Sequence, residues 1–496
     1  MKKFFRRTLT ALLIVACVLT TVVFAAIQTF NGMGKYIMSD FETEDIAKQR
    51  AIQRAREDAQ DKAGVYLTSF SKTENARLTA DEISAVTNNI IDISDVQVDS
   101  KPFEVDGEPG VIWTVTLKAT IDPEGIWDFV KRDDKEKVTI VQQNNTLREG
   151  FAKNDEQVAD LKEQYKRATS QAERDRIRQQ MKQADRDFLA RQKLEEALKL
   201  RYEGFREIFE GRPQNVTKIF ENEIKLYDEI LELGGEYFEA YYNRGTAYIR
   251  LNQNERAIQD FDKAIQLNPN YAEAYNSRGY VYLKQEQYER AIQDFNKAVE
   301  LNPNLNDVYK RRGKAYQMSG QNERAIADFD KAIEFKWNND PFLKSDRKDI
   351  LSVKDTALAE LYFNRGLAYS NLKQYEQAIQ DFNKAIEYGA VKQVAEAYSV
   401  RGFVYGHLEQ YERAIADFDK AIELRPNFVA PYLWRGGAYV ELKQYERAIQ
   451  DFDKAIQLNP NLGEALYYRG LCYKATGDTA KAQADFDKAK ELVYNG

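Results

Sequence analysis

Histidine and cysteine are almost missing from this 496-residue chain: His407, Cys17 and Cys472 are all it has. A zinc site of imidazole and thiolate ligands cannot be assembled from three such residues. A histidine-based triad would have to rely on His407 alone. Proline is scarce, with 10 residues, and a basic excess is absent, because 72 Lys and Arg stand against 79 Asp and Glu for a net charge of −7. Phosphate recognition needs a concentrated cationic face, so a dominant nucleic-acid footprint is excluded. No Gly-x-x-x-x-Gly-Lys-Ser/Thr loop, Gly-x-Ser-x-Gly elbow or His-Glu-x-x-His helix occurs, which leaves an enzyme without motif support. The expectation is a non-enzymatic protein with no catalytic residue, no metal ligand and no cofactor. What the chain does have is aromatics, 30 Tyr and 26 Phe, which argue against wholesale disorder.

Length predicts about three structural units. Lys2, Lys3, Arg6 and Arg7 precede an uncharged, apolar run from Leu9 to Ile27. A basic start followed by such a run is the pattern of a secretory signal, here residues 1–27. Ala25 and Ala26 offer a cleavage site; a retained membrane anchor and, through Ile14-Val15-Ala16-Cys17, a lipidated Cys17 are the other readings. Each of them exports the chain to the periplasm or envelope, with membrane attachment only through this segment. Cys472 is then alone in the mature chain, at a position that holds Ala or Val in the repeats below, and reads as a packing residue.

Residues 28–140 read as a small α/β domain. A helix is expected from Ser39, with Glu42 at capping-box spacing. Ala47, Ala51, Ala55, Ala59 and Ala63 form a narrow small-residue stripe suited to close packing on a sheet, and Gly64 is expected to end it. Val111, Trp113, Val115, Leu117, Ala119 and Ile121 alternate with polar residues as a half-buried strand, and Ile90 to Val98 with Asp106-Gly107 completes a hairpin. Gly32-x-Gly34 lacks the third glycine and the strand–helix setting of a dinucleotide fingerprint. This arrangement resembles the N-terminal domain of flagellar assembly T-type proteins and related small envelope lipoproteins, which implies an envelope interaction domain.

Residues 146–205 form a charged helical spacer; between Phe151 and Glu203 there is neither Gly nor Pro. Val158, Leu161, Tyr165, Ala168 and Ala172 step by three and four, and after a slip the pattern resumes at Ile177, Met181, Ala184 and Phe188. One reading is a solvated spacer or a helical hairpin folded on itself; the other is a coiled coil that makes a homodimer.

From 238 to 496 the chain repeats itself. Arg-Gly pairs stand at Gly245, Gly279, Gly313, Gly366, Gly402, Gly436 and Gly470, at intervals of 34, 34, 53, 36, 34 and 34. A Tyr follows each glycine by three, an Ala by twelve, a Phe by sixteen and a second Ala by nineteen. Small residues where two helices cross, with Tyr and Phe filling the wedge, dictate a helix pair whose open apolar face must stack on the next pair. Asn-Pro, as at Pro269, Pro303 and Pro460, stops the second helix. The pattern resembles the tetratricopeptide repeat. The fold class expected is therefore mainly α, a helical solenoid preceded by a charged helix and a small α/β domain. Residues 206–237, with Tyr227, Ile230, Leu231 and Leu233, read as degenerate capping helices; Gln483 and Lys490 replace an apolar pair in the last repeat and let the array end there. Extra residues near 340–358 form an insertion between the third and fourth repeats.

The resemblance implies protein or peptide ligands on the first helix of each repeat. Carried over, the third repeat supplies Lys310, Arg311 and Lys314, a basic patch, and later repeats supply Phe363, Asn364, Leu367, Phe403, Leu433, Trp434, Tyr467 and Tyr468. The expected ligand has acidic and apolar anchors. The two-Asn carboxylate clamp of chaperone-binding relatives is not reproduced, since no repeat has Asn after its Gly. Asp-Phe-Asp-Lys, as at Asp260 to Lys263, reads as a solvated helix face rather than a metal site, and His407 as an ordinary contact on the binding side.

Overall fold

The computed structural model describes residues 28–38, 42–73, 79–105, 108–121, 134–339 and 355–494. Residues 1–27, read above as a signal or anchor, the Asp106-Gly107 turn and most of the insertion near 340–358 lie outside the described residues. The chain divides into two compact units, Met1–Leu267 and Asn268–Gly496.

In the N-terminal unit, strands β1 (Gln28–Met38), β2 (Ile91–Val105) and β3 (Glu108–Ile121) form an antiparallel sheet of order β1-β3-β2, with helices α1 (Glu44–Thr73) and α2 (Ala80–Ile90) between the first two. The alanine ladder from Ala47 to Ala63 is fully buried, as are Val115, Ala119 and Ile121 of β3. Gly32 and Gly34 allow this closeness: a Cβ on either would sit 2.1 Å from a carbonyl oxygen of α1, Ala55 or Ala51. The Gly-x-Gly is thus a packing device in the middle of a strand whose inward face, Phe30, Gly32, Gly34, Tyr36 and Met38, has no side chain at its two central positions and so reads only weakly as an alternation. Gly64 does not end α1. The helix runs on to Thr73, and the burial of Ala63 and Leu67 outweighs a glycine penalty of about 1 kcal/mol.

Strand β1 is an edge, and α1 closes it. Lys62 Nζ donates to the Asn31 carbonyl at 2.8 Å, the Met33 N–H donates to Asp58 at 2.8 Å, and Arg54 donates to the Lys35 carbonyl at 3.0 Å. Three side chains one helical turn apart thereby occupy the backbone groups that a further strand would use.

The charged spacer is a hairpin of two helices, α3 (Asp134–Arg167) and α4 (Gln171–Phe209). Ser170 caps α4 by accepting the Glu173 N–H at 3.2 Å. Val158, Leu161, Ala168, Ile177, Met181, Ala184 and Phe188 are all buried, so the seam closes within one chain rather than between two. Ala172 falls beside the turn and is exposed. Arg50 of α1, 1% exposed, donates to Asn154 and Asp155 of α3 and to Asp185 of α4, which fastens the sheet domain to the hairpin.

The entry cap holds more than sequence spacing indicates. Helix α5 (Val216–Glu232) places Phe220 against Gly204 of α4, where a Cβ would meet the ring at 2.5 Å. The sixteen-residue spacing repeats that of the array, so the end of α4 serves as a first helix and α5 as a second. Buried Arg201 joins them by donating to Glu223 at 2.8 Å and to Tyr227 at 2.8 Å. The first full pair, α6 (Phe238–Arg250) and α7 (Asn254–Leu267), completes this unit.

The C-terminal unit is six further pairs: α8 (Ala272–Lys284) and α9 (Tyr288–Leu301), α10 (Asn306–Met318) and α11 (Asn322–Asn339), α12 (Thr356–Asn371) and α13 (Tyr375–Tyr388), α14 (Val391–His407) and α15 (Tyr411–Leu424), α16 (Val429–Glu441) and α17 (Tyr445–Leu458), α18 (Gly463–Thr476) and α19 (Thr479–Tyr494). Consecutive helices pack in order, including α11 on α12 across the insertion. At each crossing the glycine faces the phenylalanine sixteen residues on; a Cβ at Gly436 would lie 2.7 Å from the Phe452 ring.

One expectation fails here. The first Asp of Asp-Phe-Asp-Lys is buried, not solvated. It receives two hydrogen bonds from the Arg of the Arg-Gly pair: Arg435 donates to Asp451 at 2.6 and 2.8 Å, and Arg278, Arg312, Arg365, Arg401 and Arg469 repeat this within the unit. The residue two further on reaches the next repeat, as Asp453 does to Arg469 at 2.5 Å and Asn296 to Arg312 at 2.8 Å. The second acidic or amide residue of the motif is exposed, as Asp262, Asp419 and Asp453 are, and only the first Asp turns inward.

Two outcomes test this packing. Gly436→Ala should destabilise by about 1–3 kcal/mol, because the added methyl meets the ring of Phe452, whereas adjacent Gly437→Ala, with open space around it, should raise the thermal midpoint slightly, by no more than the ~1 kcal/mol that alanine gains over glycine inside a helix. Replacing Arg54, Asp58 and Lys62 together by Ala should bare β1 and shift sedimentation toward higher mass, with native-like circular dichroism.

Candidate functional site

First helices α8, α10, α12, α14, α16 and α18 touch one another as well as their own partners, so they line one face of the C-terminal unit. The cations of α10 do come together on it, but each is engaged. Lys310 is 2.6 Å from Glu360 of α12. Lys314 donates to Asn364 Oδ1 at 3.2 Å and to Gln317 at 3.1 Å, and burial lowers its pKa. Arg311 lies 4.6 Å over the Tyr280 ring and 3.5 Å from Asp307. The basic patch is thus met by the chain's own carboxylates and rings. Glu360, which carries much of that neutralisation, escaped the sequence reading because it lies outside the three positions carried over.

The apolar candidates separate into two groups. Phe363 and Leu367 pack on buried Phe382, Asn364 is buried, and Leu433 joins the Phe452 cluster. These serve mainly as interior. Phe403, Tyr467 and Tyr468 are exposed by 38%, 50% and 37%. Trp434 stands between them, half-buried, with its ring 4.8 Å from Phe403 and 6.2 Å from Phe418. Tyr468 stacks on Phe452 at 6.1 Å and Tyr467 meets Phe486 at 5.6 Å. Each therefore rests one edge on the core and turns the remainder outward.

Space beside this ledge comes from two glycines that sequence reading passed over. Gly406 and Gly437 have nothing within 4 Å of an added Cβ, so helices α14 and α16 are stripped of side chains next to Phe403 and Trp434. Their signal was present: each lies one turn or less beyond an Arg-Gly glycine, where no packing requires it. His407 stacks on Tyr375 at 5.9 Å and meets Phe403 edge-on at 4.5 Å, which makes it part of the wall. Cys472 is 1% exposed, and burial pushes its thiol up to about 11; it is a packing residue, as its repeat position indicates.

Comparison with known proteins agrees with this geometry. The family model described as Tetratricopeptide repeat matches residues 272–305, 359–388 and 395–428, a second of the same description matches 464–492, and one described as TPR repeat matches 245–286 and 436–477. No curated protein matches the chain. Among solved structures, the C-terminal part of a TPR repeat-containing protein from Cytophaga hutchinsonii is 22% identical, covers 51% of this chain and 95% of its own, with a TM-score of 0.40. A tetratricopeptide repeat protein from Parabacteroides merdae is 19% identical over 56% of this chain and 98% of its own, TM-score 0.38. YrrB, titled a TPR protein with an unusual peptide-binding site, is 21% identical over 48% and 95%, TM-score 0.29. The Arg-Gly helix pairs of this chain are tetratricopeptide repeats, and a protein-binding scaffold is the class of function they indicate.

Proposed function

We propose that the chain is an exported, non-enzymatic scaffold that holds protein partners on the first-helix face of its C-terminal unit, in assembly or maintenance of a bacterial cell-envelope complex. The observation that carries the reading is the aromatic ledge. Phe403, Trp434, Tyr467 and Tyr468 expose apolar surface side by side where a folded chain gains nothing by it, and such rigid aromatic anchors dominate protein contacts. Export rests on the basic and apolar pattern of residues 1–27, and the envelope setting on that pattern together with the resemblance of residues 28–140. Homodimerisation through the spacer loses its main argument, because the seam is filled by its own hairpin.

Phe403→Ala combined with Trp434→Ala in the full chain, followed by crosslinking in cells, tests the binding role. Loss of the crosslinked envelope partners is expected, with helicity and localisation unchanged. Undiminished crosslinking would place the binding surface elsewhere.

A further inference from the structure

The repeats carry an internal comparison that bears on the kind of partner. In the second and third repeats, Tyr280 follows its glycine and Arg311 stands two before the next one, with the guanidinium 4.6 Å over the ring. In the fifth and sixth repeats the same two positions hold Phe403 and Trp434, 4.8 Å apart. Where one part of the chain supplies a cation to its own aromatic ring, the other supplies a second ring. The contrast extends further. Tyr282, Tyr405, Tyr439 and Tyr473, three residues after their glycines, are faced by Arg290, Arg413, Arg447 and Lys481 at 4.0, 5.6, 5.3 and 5.2 Å. Among the described residues no Arg or Lys is recorded over Phe403, Trp434, Tyr467 or Tyr468.

Carboxylates rim the same ledge. Glu441 lies two turns beyond Trp434 on α16, on the same helix face, and Glu409 follows His407 at the end of α14. Both are exposed, and neither has an ion-pair partner among the described residues. Partial desolvation, with the negative charge of these two carboxylates, pushes the Tyr411 hydroxyl above its usual range. Gly406 and Gly437 leave open space beside the rings. Lys443, exposed two residues after Glu441 at the turn position that Glu409 holds one repeat earlier, and Lys474, two turns past Tyr467, confine the acidic rim to Glu409 and Glu441.

Resting on the binding role proposed for this face, we infer that the ledge is a receptor for a basic segment of a partner protein. An arginine guanidinium of that segment lies on Trp434 and Phe403 and pairs with Glu441 and Glu409, while apolar neighbours cover Tyr467 and Tyr468. A planar guanidinium suits a ring face and a carboxylate at once. The negative rim repels acidic segments and speeds encounter with basic ones. The occupant is therefore opposite in charge to the one that the α10 cations alone would suggest.

The test uses the full chain and three labelled peptides, each with leucines alternating with arginine, glutamine or glutamate, read by fluorescence anisotropy at low and high salt. The arginine peptide should bind about tenfold more tightly than the glutamine one, as expected for a partly desolvated cation–π contact with an added ion pair. Glu441→Gln should remove most of that preference, Trp434→Ala should weaken the arginine peptide about tenfold, and Trp434→Phe should restore it in part. Equal or tighter binding of the glutamine or glutamate peptide overturns the inference, as does failure of the arginine peptide to bind at about 1 mM. Arginine-peptide binding that depends on Trp434 but not on Glu441, and is no tighter than that of the glutamine peptide, refutes a cationic partner and keeps the ledge as the binding site. Peptide binding indifferent to both residues refutes the two readings together.

Discussion

In each helix pair an arginine next to the crossing glycine grips, through two parallel hydrogen bonds, an aspartate next to the phenylalanine that fills the crossing. Arg435 and Asp451 show it at 2.6 and 2.8 Å. Because the charged partners are sequence neighbours of the packing partners, closing the ion pair also sets Gly436 on the Phe452 ring. A buried pair gains little net stability, since desolvation offsets much of the attraction, but losing one partner strands a charge in the interior. Its main effect is on register: apolar helices can slide past one another, whereas a bidentate fork fits one offset. The second Asp or Asn of the motif then reaches the next arginine, as Asp330 does to Arg365 at 2.5 Å across the insertion, so the same guanidinium aligns successive repeats.

This arrangement separates support from recognition. The guanidiniums and the tyrosines they face are absorbed in holding helices together. The first-helix face shares that duty only in places, and its residues vary from repeat to repeat: cations on α10 that pair with α12, interior apolar groups on α12, outward aromatics on α14, α16 and α18. A regular frame with an irregular face is what a binding scaffold requires. The N-terminal unit solves a similar problem by other means. There, alanines and glycines bring helix and sheet close, buried Arg50 joins three elements, and charged side chains close the strand edge.

Much of this was legible in the sequence because it is periodic. The glycine, alanine, tyrosine and phenylalanine positions of the array, the alanine ladder and the β2–β3 hairpin each leave a spacing that can be read. What escaped lacks a side chain or depends on distant contacts. Strand β1 has glycines, Gly32 and Gly34, at the centre of its inward face, which leaves only Phe30, Tyr36 and Met38 to mark it. The hairpin of α3 and α4 was among the readings, with the slip before Ile177 as its sign, but the place of the bend was not, since it has neither Gly nor Pro and is set by Ser170 and by the seam that closes around it. The aspartate half of the arginine pair was visible at constant spacing, yet the motif's second, exposed acidic residue and its Lys made the whole of it look solvated. At the proposed binding face the aromatic identities were readable, but openness was not: it arises from Gly406 and Gly437, and from Glu360 meeting the cations elsewhere.

The claim on which the account turns is that the Arg–Asp fork couples the two helices of a repeat. A double-mutant cycle at Arg435 and Asp451, with both single alanine variants and the double variant compared by chemical denaturation, measures it directly. The exposed Lys420–Glu423 pair, at 2.7 Å, serves as the reference. The account predicts a coupling of about 2–4 kcal/mol for the buried fork against less than about 0.5 kcal/mol for the exposed pair. Equal coupling in the two would contradict it, and would leave the packing of Gly436 on Phe452 to hold the repeat alone.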